Sequence, residues 1–565
     1  MATNKVPTLD GSGKVRDKHL PDRLGATALS ATYVPQWKPA TAYTAGQPVV
    51  NPSGDVVTSK ADHTSGTTFT AANWNSAPAV AAKLDKTEAA ATYGKVGAVS
   101  SPAAAAALVH KLQSGAEPAI ITAMGDSTGA MAGSWLNGLI AKLATAFPKY
   151  TLMQRNWNDT DQRYDATSTV QTGANGIMRL VTAGASTDRF FTIADSAATS
   201  PTGDLDLRFK VKIPAFGGAI ILGGKYDTTT NNRGWFVQID PSGYLQLFFS
   251  TDGSSATQLT RTSNSTIPAS LLNTTVWLRI VFDVDNGASG NDFKTYYSTD
   301  NVSWTQFGTT ITNTGIQSVF DSNAATQFIG RSGAGNSTGG AVEYYAFQLR
   351  SGIGNNVRPV IDLDVALWNG FGSNARAGGA NIAQFTDFVG NTVQIDGTGQ
   401  GGTMTGSPCI FFLNGCVSGS AISYASDSVR FPKLTPIQSD LCFINYSHNE
   451  GGTVYYRTVF KQLADNVLGK WPDCGIIATV QNKRYSPAVN ITEHQIRGDQ
   501  IAGLAAAQRY GLVNAFKILE ATGNQQQYIN TDGIHPTIAS TAQPGYGPGA
   551  DVIRDGAWPL FSAWL

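Results

Sequence analysis

Two short polar segments near opposite ends of the chain contain side chains that can perform nucleophilic chemistry together. Ser127 lies just after the apolar run Ala119–Gly125, and Asp532 precedes His535 by three residues. A serine hydroxyl needs a base to take its proton, and that base needs an acid to orient its ring. We therefore expect Ser127 to be a nucleophile, His535 its base and Asp532 the orienting acid. Taken alone, the glycine-flanked segment 125–129 is equally consistent with a flexible turn.

These two segments resemble the first and last blocks of the SGNH, or GDSL, family of serine esterases and lipases. The resemblance implies two middle blocks that supply oxyanion donors, and their best matches here are the Gly419 N–H and the Asn449 amide. Together with the Ser127 N–H they would form the oxyanion hole. Ser447 and Glu450 depart from the family's usual Gly-x-Asn-Asp pattern. An ordinary loop-capping amide is the alternative interpretation of Asn449.

Five further residues are candidates for contacts with a substrate. Two adjoin the blocks and three belong to a small aromatic β module at 36–77, which resembles carbohydrate-binding modules of the chitin-binding type. The aromatic residues could equally form the core of a domain too small to have another. A helical histidine, His494, is expected to be structural. The five candidates are Asp126, His448, Trp37, Tyr43 and Trp74.

The segments that must position these residues alternate between strands and helices. Such alternation favours a parallel sheet with helices on both faces, a three-layer α/β/α hydrolase of flavodoxin-like type built from 116–185 and 403–565. Parallel strands end at one edge, where the polar segments would meet. The expected strands after the first part are 409–414, 441–446, 474–480 and 512–516, with helices at 454–468 and 493–509.

A long segment, 186–402, separates the two parts of the hydrolase and must form a domain of its own. Apolar residues alternate with period two in several runs without intervening helices, which predicts a β-sandwich. The pattern resembles the laminin-G or concanavalin-like jelly roll. Its tryptophans Trp235, Trp277 and Trp304 are interpreted as core rather than as a sugar platform. The acidic loop 283–286 is compatible with calcium or with a simple turn.

The first residues, 1–35, are polar and turn-rich and are predicted to be an extended attachment arm. They resemble the start of minor tail and tail-fibre proteins of phages that infect Actinobacteria. That resemblance implies other tail proteins as partners and a location in the virion tail at the host cell surface. A three-chain stalk at 78–115, as in other fibre proteins, would make the protein a homotrimer. An alanine-rich stretch, 78–115, is interpreted as a linker with short helices, because glycine and proline interrupt it.

Composition excludes several classes of function. The chain has 565 residues, enough for several domains, and its 40 basic residues balance 40 acidic ones. This balance gives no electrostatic case for binding nucleic acid or an anionic membrane. Neither a signal peptide nor a membrane span is evident, so the expected synthesis is cytoplasmic. The four cysteines lack metal-ligand spacing and are expected to be buried free thiols.

Two hypotheses about function follow from these patterns. In the first, a phage-tail serine esterase removes acyl groups, acetyl above all, from host cell-surface glycan or lipid, without a metal or an organic cofactor. In the second, the protein is a non-catalytic receptor-binding tail protein, and the esterase fold only displays the lectin-like insert. The complete set of serine, asparagine, aspartate and histidine favours the first hypothesis.

Overall fold

The computed structural model divides the chain into two units, Met1–Gly94 and Lys95–Leu565. The arm predicted at 1–35, Trp37 and the first part of the predicted linker lie outside the described residues. The described residues are 38–45, 48–50, 56–76, 99–182, 190–228, 230–324, 326–328, 331–333, 336–337, 339–368, 384–396, 402–451, 456–485 and 491–565.

The first unit contains a small β module built around buried aromatic residues. The Trp74 ring contacts Tyr43 edge-on at 5.0 Å between ring centroids and stacks on Phe69 at 5.6 Å. Tyr43 and Trp74 are both almost fully buried, so for these two the structure supports the core interpretation and not the sugar contact. The strands are β1 (Ala42–Tyr43), β2 (Pro48–Val50), β3 (Val56–Ser59), β4 (His63–Thr64) and β5 (Trp74–Ser76).

The second unit begins with strands and helices of a mixed α/β domain. Its opening strands are β6 (Val99–Ser100), β7 (Ala119–Gly125), β8 (Thr151–Asn158), β9 (Arg163–Tyr164) and β10 (Ser168–Gln171). The helices among them are α1 (Ala103–Ser114), α2 (Ser127–Ala130) and α3 (Trp135–Ala146).

The insert that follows is a β-sandwich, because its strands bury one face each against the opposite sheet. One sheet has the order β20-β19-β18-β13-β25-β11-β29, with β21 on β19 and β26 on β25, and the other has the order β17-β16-β15-β14-β22-β12-β28-β27. Trp235 and Trp277 are buried, as predicted, while Trp304 is partly exposed under the guanidinium groups of Arg208 and Arg279. The strands are β11 (Arg179–Thr182), β12 (Phe190–Ile193), β13 (Leu205–Lys212), β14 (Ile220–Asp227), β15 (Asn232–Ile239), β16 (Tyr244–Ser250), β17 (Gln258–Thr266), β18 (Thr275–Asp283), β19 (Gly290–Ser298), β20 (Thr305–Gln306), β21 (Ile311–Thr314), β22 (Thr326–Phe328), β23 (Arg331–Gly333), β24 (Asn336–Ser337), β25 (Val342–Ser351), β26 (Pro359–Asp364), β27 (Gln384–Thr386), β28 (Thr392–Asp396) and β29 (Gly402–Thr405).

The chain then returns to the α/β domain and completes its sheet. The sheet has the order β10-β8-β30-β7-β31-β32-β33-β6, parallel from β8 to β33 and antiparallel at both edges. The returning strands are β30 (Cys409–Cys416), β31 (Leu441–Asn445), β32 (Gly475–Val480) and β33 (Gly511–Asn514). The helices are α4 (Ile422–Ser426), α5 (Phe431–Leu434), α6 (Tyr456–Lys470), α7 (Ile491–Gln508), α8 (Ala515–Glu520), α9 (Gly549–Ala557) and α10 (Pro559–Ser562).

Helices cover both faces of this sheet, because its central strands are apolar on both sides. Helices α1, α3, α8, α9 and α10 pack on one face, and α4, α6 and α7 pack on the other. All four cysteines are buried and unpaired, as the sequence predicts. Of the helices that the structure describes, none combines the length and the apolar character that a bilayer crossing requires.

The structure moves two of the predicted boundaries. The second half of the predicted linker belongs to the α/β domain, because β6 pairs with β33 and α1 buries an apolar stripe at 105, 108, 109 and 112. The stripe has the ordinary spacing of a helix, but it is hard to predict from the sequence because most of the surrounding residues are alanine. The sandwich is also longer than 186–402 at both ends, since β11 and β29 pair with each other in one of its sheets.

Candidate active site

The Ser127 side chain lies on a tight turn between β7 and α2. Ser127 is the first residue of α2, and Asp126 caps this helix by accepting hydrogen bonds from the Thr128 N–H at 3.0 Å and the Thr128 hydroxyl at 2.9 Å. The glycines of this turn leave no room for a side chain. A Cβ on Gly125 would lie 2.7 Å from the Asn445 carbonyl oxygen, and one on Gly129 would lie 2.7 Å from Cys416 Sγ. The turn is therefore packed against the ends of β30 and β31.

His535 and Asp532 lie on the loop before α9 and complete a hydrogen-bonded chain with Ser127. The distance from Ser127 Oγ to His535 Nε2 is 2.6 Å, and His535 Nδ1 is 2.6 Å from Asp532 Oδ2. Because a carboxylate only accepts, Nδ1 donates to Asp532 and Nε2 is left to accept the serine proton. Burial tends to raise the pKa of Asp532, but hydrogen bonds from His535 and the loop backbone lower it below its ordinary value.

The loop carrying His535 is fixed from two sides. Within the loop, Asp532 Oδ1 accepts from the backbone N–H groups of Ile534 and His535 at 2.8 and 3.0 Å. From outside, the Asn482 amide donates to the Ile534 carbonyl at 2.7 Å, and the Tyr485 N–H donates to the Gly533 carbonyl at 2.7 Å. The segment after β32 thus positions the His535 imidazole.

The loops of the two candidate oxyanion donors contact each other and the nucleophile strand. The Gly125 carbonyl accepts from the Val417 N–H at 2.8 Å and the Ser420 hydroxyl at 3.1 Å. Gly419 lies between them in a left-handed conformation, with φ of 77°, and is exposed. The Asn449 amide donates to the Ser420 carbonyl at 3.2 Å. Its second N–H has no partner among the described residues and can donate a hydrogen bond to an oxyanion.

The two departures from the family pattern each have a local role. Ser447 is fully buried, and its hydroxyl donates to Gln481 Oε1 at 2.9 Å. The Glu450 carboxylate accepts from the Ile422 N–H at 2.6 Å, at the beginning of α4, and burial raises its pKa. Both side chains therefore secure the loop that carries Asn449.

Gln481 was not singled out from the sequence, yet it joins the first and third blocks. Its Nε2 lies 2.8 Å from both Asp126 Oδ1 and Thr128 Oγ1 and 3.0 Å from the Asn445 carbonyl. Its Oε1 also accepts from the backbone N–H of His448 at 2.8 Å. The available signal was position, because Gln481 directly follows the apolar strand β32 at the edge where the other site residues lie.

Two predicted substrate contacts are buried structural residues instead. His448 is 1 % exposed, and it donates from Nε2 to the Asn482 carbonyl at 2.8 Å. His494, as expected, is also structural and reaches the same carbonyl at 2.9 Å. Asp126 is fully buried and caps α2, and burial raises its pKa. The sequence placed His448 and Asp126 at the right edge of the sheet but could not show that their side chains point inward.

Among the described residues, no group of three or more histidine, cysteine, aspartate or glutamate side chains is arranged to hold a metal ion. The acidic loop after β18 instead forms a turn. Its Asn286 side chain donates to Asp292 Oδ1 at 2.9 Å, and the Gly287 N–H donates to Asp285 Oδ1 at 3.1 Å. The turn interpretation of this loop is the one that the hydrogen bonds fit.

Comparison with known proteins gives only distant likenesses. No family model and no curated protein matches the sequence. A peptidoglycan O-acetylesterase aligns with a TM-score of 0.29 at 12% identity, over 81% of this chain and 95% of that chain. A lipase/acylhydrolase from Enterococcus faecalis aligns with a TM-score of 0.21 at 12% identity, over 26% of this chain and 74% of that chain. The LG1-3 region of the laminin alpha2 chain aligns with a TM-score of 0.22 at 10% identity, over 32% of this chain and 33% of that chain. Because all three scores lie below 0.5, the site must be interpreted from this chain's own geometry.

That geometry is the arrangement of a serine hydrolase. A hydroxyl, an imidazole and a carboxylate form one hydrogen-bonded chain at the carboxyl edge of a parallel sheet, and candidate oxyanion donors lie on the two neighbouring loops. Such a set can transfer an acyl group to water by way of an acyl-serine.

Proposed function

We propose that the chain is a serine carboxylic-ester hydrolase of the SGNH type. The single observation that carries this proposal is the hydrogen-bonded chain from Ser127 Oγ through His535 to Asp532, with 2.6 Å at each step. Residues 408 positions apart in sequence meet here with the geometry that acyl transfer requires.

The reaction proceeds in two acyl transfers. Ser127 Oγ attacks the ester carbonyl carbon while its proton passes to His535 Nε2, and the oxyanion accepts from the N–H groups of Ser127 and Gly419 and the Asn449 amide. The ester C–O bond breaks, and the alcohol leaves with the proton from His535. Water then attacks the acyl-serine and gives a proton to His535. The carboxylic acid is released, and Ser127 recovers its proton.

The preferred acyl group is short, with acetyl as the leading candidate. Beside the nucleophile turn, Thr128, Trp135 and Pro536 line a cavity of about 10 Å³, which holds one water at most and offers no channel to a long acyl chain. The Asp532 side chain is 44% exposed and Gly419 is exposed, so the site can be reached from solvent. An acetylated polymer suits such a site.

The natural substrate that we propose is an acylated glycan or lipid on a host cell surface, reached by a phage tail that carries this chain. This part of the proposal depends on the likeness of residues 1–35 to phage tail proteins. An O-acetylated cell-wall preparation, assayed for acetate release, is its direct test.

Hydrolysis of 4-nitrophenyl acetate, butyrate and octanoate by the wild type and by Ser127→Ala tests the activity. We expect kcat/KM to fall with acyl length and the mutant to lose hydrolysis down to background. Equal release by mutant and wild type would remove Ser127 from the mechanism. An octanoate rate equal to the acetate rate would contradict the short-acyl preference. Absence of release by both proteins would favour the receptor-binding alternative.

A further inference from the structure

A second cavity, of about 500 Å³, lies where the sandwich meets the α/β domain. The sandwich contributes Arg358, from the loop before β26, and Phe388, from the turn between β27 and β28. The α/β domain contributes Lys433 and Ile437, from α5 and the segment after it, and also Lys470 and Trp471 at the end of α6. Cavities of this size at the junction of two domains are typical small-ligand sites.

This cavity is distinct from the site described above. Its lining includes none of the residues that form the hydrogen-bonded chain from Ser127 to Asp532 and none from the loops of Gly419 and Asn449. A ligand in the cavity therefore does not occupy the ester site.

The charge of the cavity lining is positive. Arg358, Lys433 and Lys470 line it without a facing carboxylate, and none of the three forms a salt bridge with the part of the chain that the structure describes. Among the described residues, Lys470 donates to two neutral acceptors, the carbonyl and the hydroxyl of Thr435. A smaller adjoining cavity is lined by Arg163, which pairs with Asp161 at 2.8 Å, and by Arg155 and Asp362, which pair with each other.

Of the three cations, Arg358 and Lys470 are exposed and Lys433 is partly exposed. Partial burial of the guanidinium and the neighbouring Arg163 charge lower the pKa of Arg358. Partial burial of the ammonium lowers the pKa of Lys470. Each shift means that the protein disfavours the positive charge at that position, and an anion bound between the cations would relieve this cost.

Apolar side chains also line the cavity. Phe388, Trp471 and Ile437 belong to this lining and are 7 %, 5 % and 3 % exposed. Apolar ring surface beside cationic side chains suits a ligand with a sugar or polyol body and an anionic group.

We propose that this cavity binds the phosphate or carboxylate group of an anionic saccharide or polyol unit. The Arg358 guanidinium and the ammonium groups of Lys433 and Lys470 hold the anion, and the Phe388 and Trp471 walls hold the carbon skeleton. The site is separate from the hydrolytic one, and it stands whether or not Ser127 cleaves esters.

Calorimetric titration of the full chain at low salt with three probes tests the site. The probes are a glycerol-phosphate trimer, a galacturonic acid trimer and neutral maltotriose. We expect the anionic probes to bind, maltotriose not to bind, and affinity to fall as salt rises. The tighter anionic probe identifies phosphate or carboxylate as the preferred group. Equal binding of all three probes, or of none, overturns the proposal.

Matched charge reversals locate the site. We expect Lys433→Glu to lower the affinity for the anionic probe by about tenfold, equivalent to about 1.4 kcal/mol. Lys517→Glu makes the same charge change on α8, which packs on the other face of the sheet, and should leave binding within twofold. Equal weakening by both variants would mean non-specific attraction and would overturn the proposal.

The same variants separate this inference from the esterase. Lys433→Glu should hydrolyse 4-nitrophenyl acetate at the wild-type rate, which also shows that it is folded. Ser127→Ala should bind the anionic probe with wild-type affinity. Loss of probe binding in Ser127→Ala would place the anion at the ester site and overturn the proposal of a separate cavity.

Discussion

Asp126 and Gln481 are joined by a hydrogen bond of 2.8 Å between Oδ1 and Nε2, although 355 positions separate them in the sequence. Through this bond Asp126, which precedes Ser127, is joined to the residue that follows β32. The segment that continues from there positions His535. The amide oxygen of Gln481 accepts from the Ser447 hydroxyl and from the His448 N–H. One buried side chain thus sets the distance between the nucleophile turn and the Asn449 loop.

Replacing Gln481 with leucine should lower kcat for acetyl esters by about 10- to 100-fold with little change in KM. The substitution removes one of the three hydrogen bonds to Asp126 Oδ1 and leaves the Ser447 hydroxyl without its partner. Small displacements of reacting groups have effects of this size. Steady-state kinetics well below the melting temperature measure this, with circular dichroism as the control for folding. An unchanged kcat in a folded Gln481→Leu protein would contradict the role of Gln481.

Removing the Asn449 amide should lower kcat on the order of 10²–10³-fold, because one oxyanion donor is lost. Glu450→Gln is the matched control in the same loop. Its amide oxygen still accepts from the Ile422 N–H, so activity should stay within a few-fold of the wild type. Comparable losses in Asn449→Ala and Glu450→Gln would indicate that the loop tolerates no change, and not that Asn449 stabilises the oxyanion.

Acid should destabilise the fold through the buried pair His448 and His494. Burial lowers the pKa of each to about 3, whereas the unfolded chain binds the proton near pH 6.5. The stability due to the neutral rings is therefore present above pH 6.5 and is lost progressively as pH falls towards 3. Each ring contributes a loss of about 1.4 kcal/mol per pH unit in that window.

Urea unfolding at pH 7 and pH 5 measures this loss. We expect His494→Gln to lose about 2 kcal/mol less than the wild type between these two pH values, since one titrating ring is gone. The exposed His110→Gln on α1 serves as control and should follow the wild type. If all three proteins lose the same free energy, the buried pair does not govern the acid sensitivity.

Helix α1 should be essential to the stability of the α/β domain. Leu108 is fully buried between α1 and the sheet, so Leu108→Ala should lower the free energy of unfolding by about 2–5 kcal/mol. Ala107→Ser, on the exposed side of the same helix, should change it by less than about 1 kcal/mol. A chain that begins at residue 116 should fail to fold. Full activity of that shortened chain would mean that α1 is a linker after all.

Sequence patterns predicted the local features best. Continuous apolar runs located β7, β30, β31 and β32 to within a few residues, because strands buried on both faces have an unmistakable composition. The Ser127 turn and the Asp532 to His535 loop could be singled out from their residue types taken together and from the resemblance to the SGNH family. Phe516, predicted to end a strand, instead lies in α8, since the short strand β33 ends at Asn514 and that residue caps the helix.

The orientation of polar side chains could not be predicted. His448 and Asp126 lie at the expected edge of the sheet, but each points into the protein, where partners from distant segments satisfy it. Gln481 has its role only because Asp126, Thr128 and Asn445 converge on it. Such convergence depends on tertiary packing, which single-sequence patterns do not encode.

The position of β30 in the sheet has a consequence for folding during synthesis. On one side of β7 lies β30 and on the other lies β31, and both follow the sandwich in the chain. The nucleophile strand therefore leaves the ribosome about 280 residues before either neighbour, a delay of roughly 15 to 60 s at ordinary rates of synthesis. During that time the sandwich can fold, while β7 lacks both of the strands that flank it in the sheet. We therefore expect the segment before the sandwich to depend on protection, by the growing chain or by a chaperone, until β30 and β31 are made.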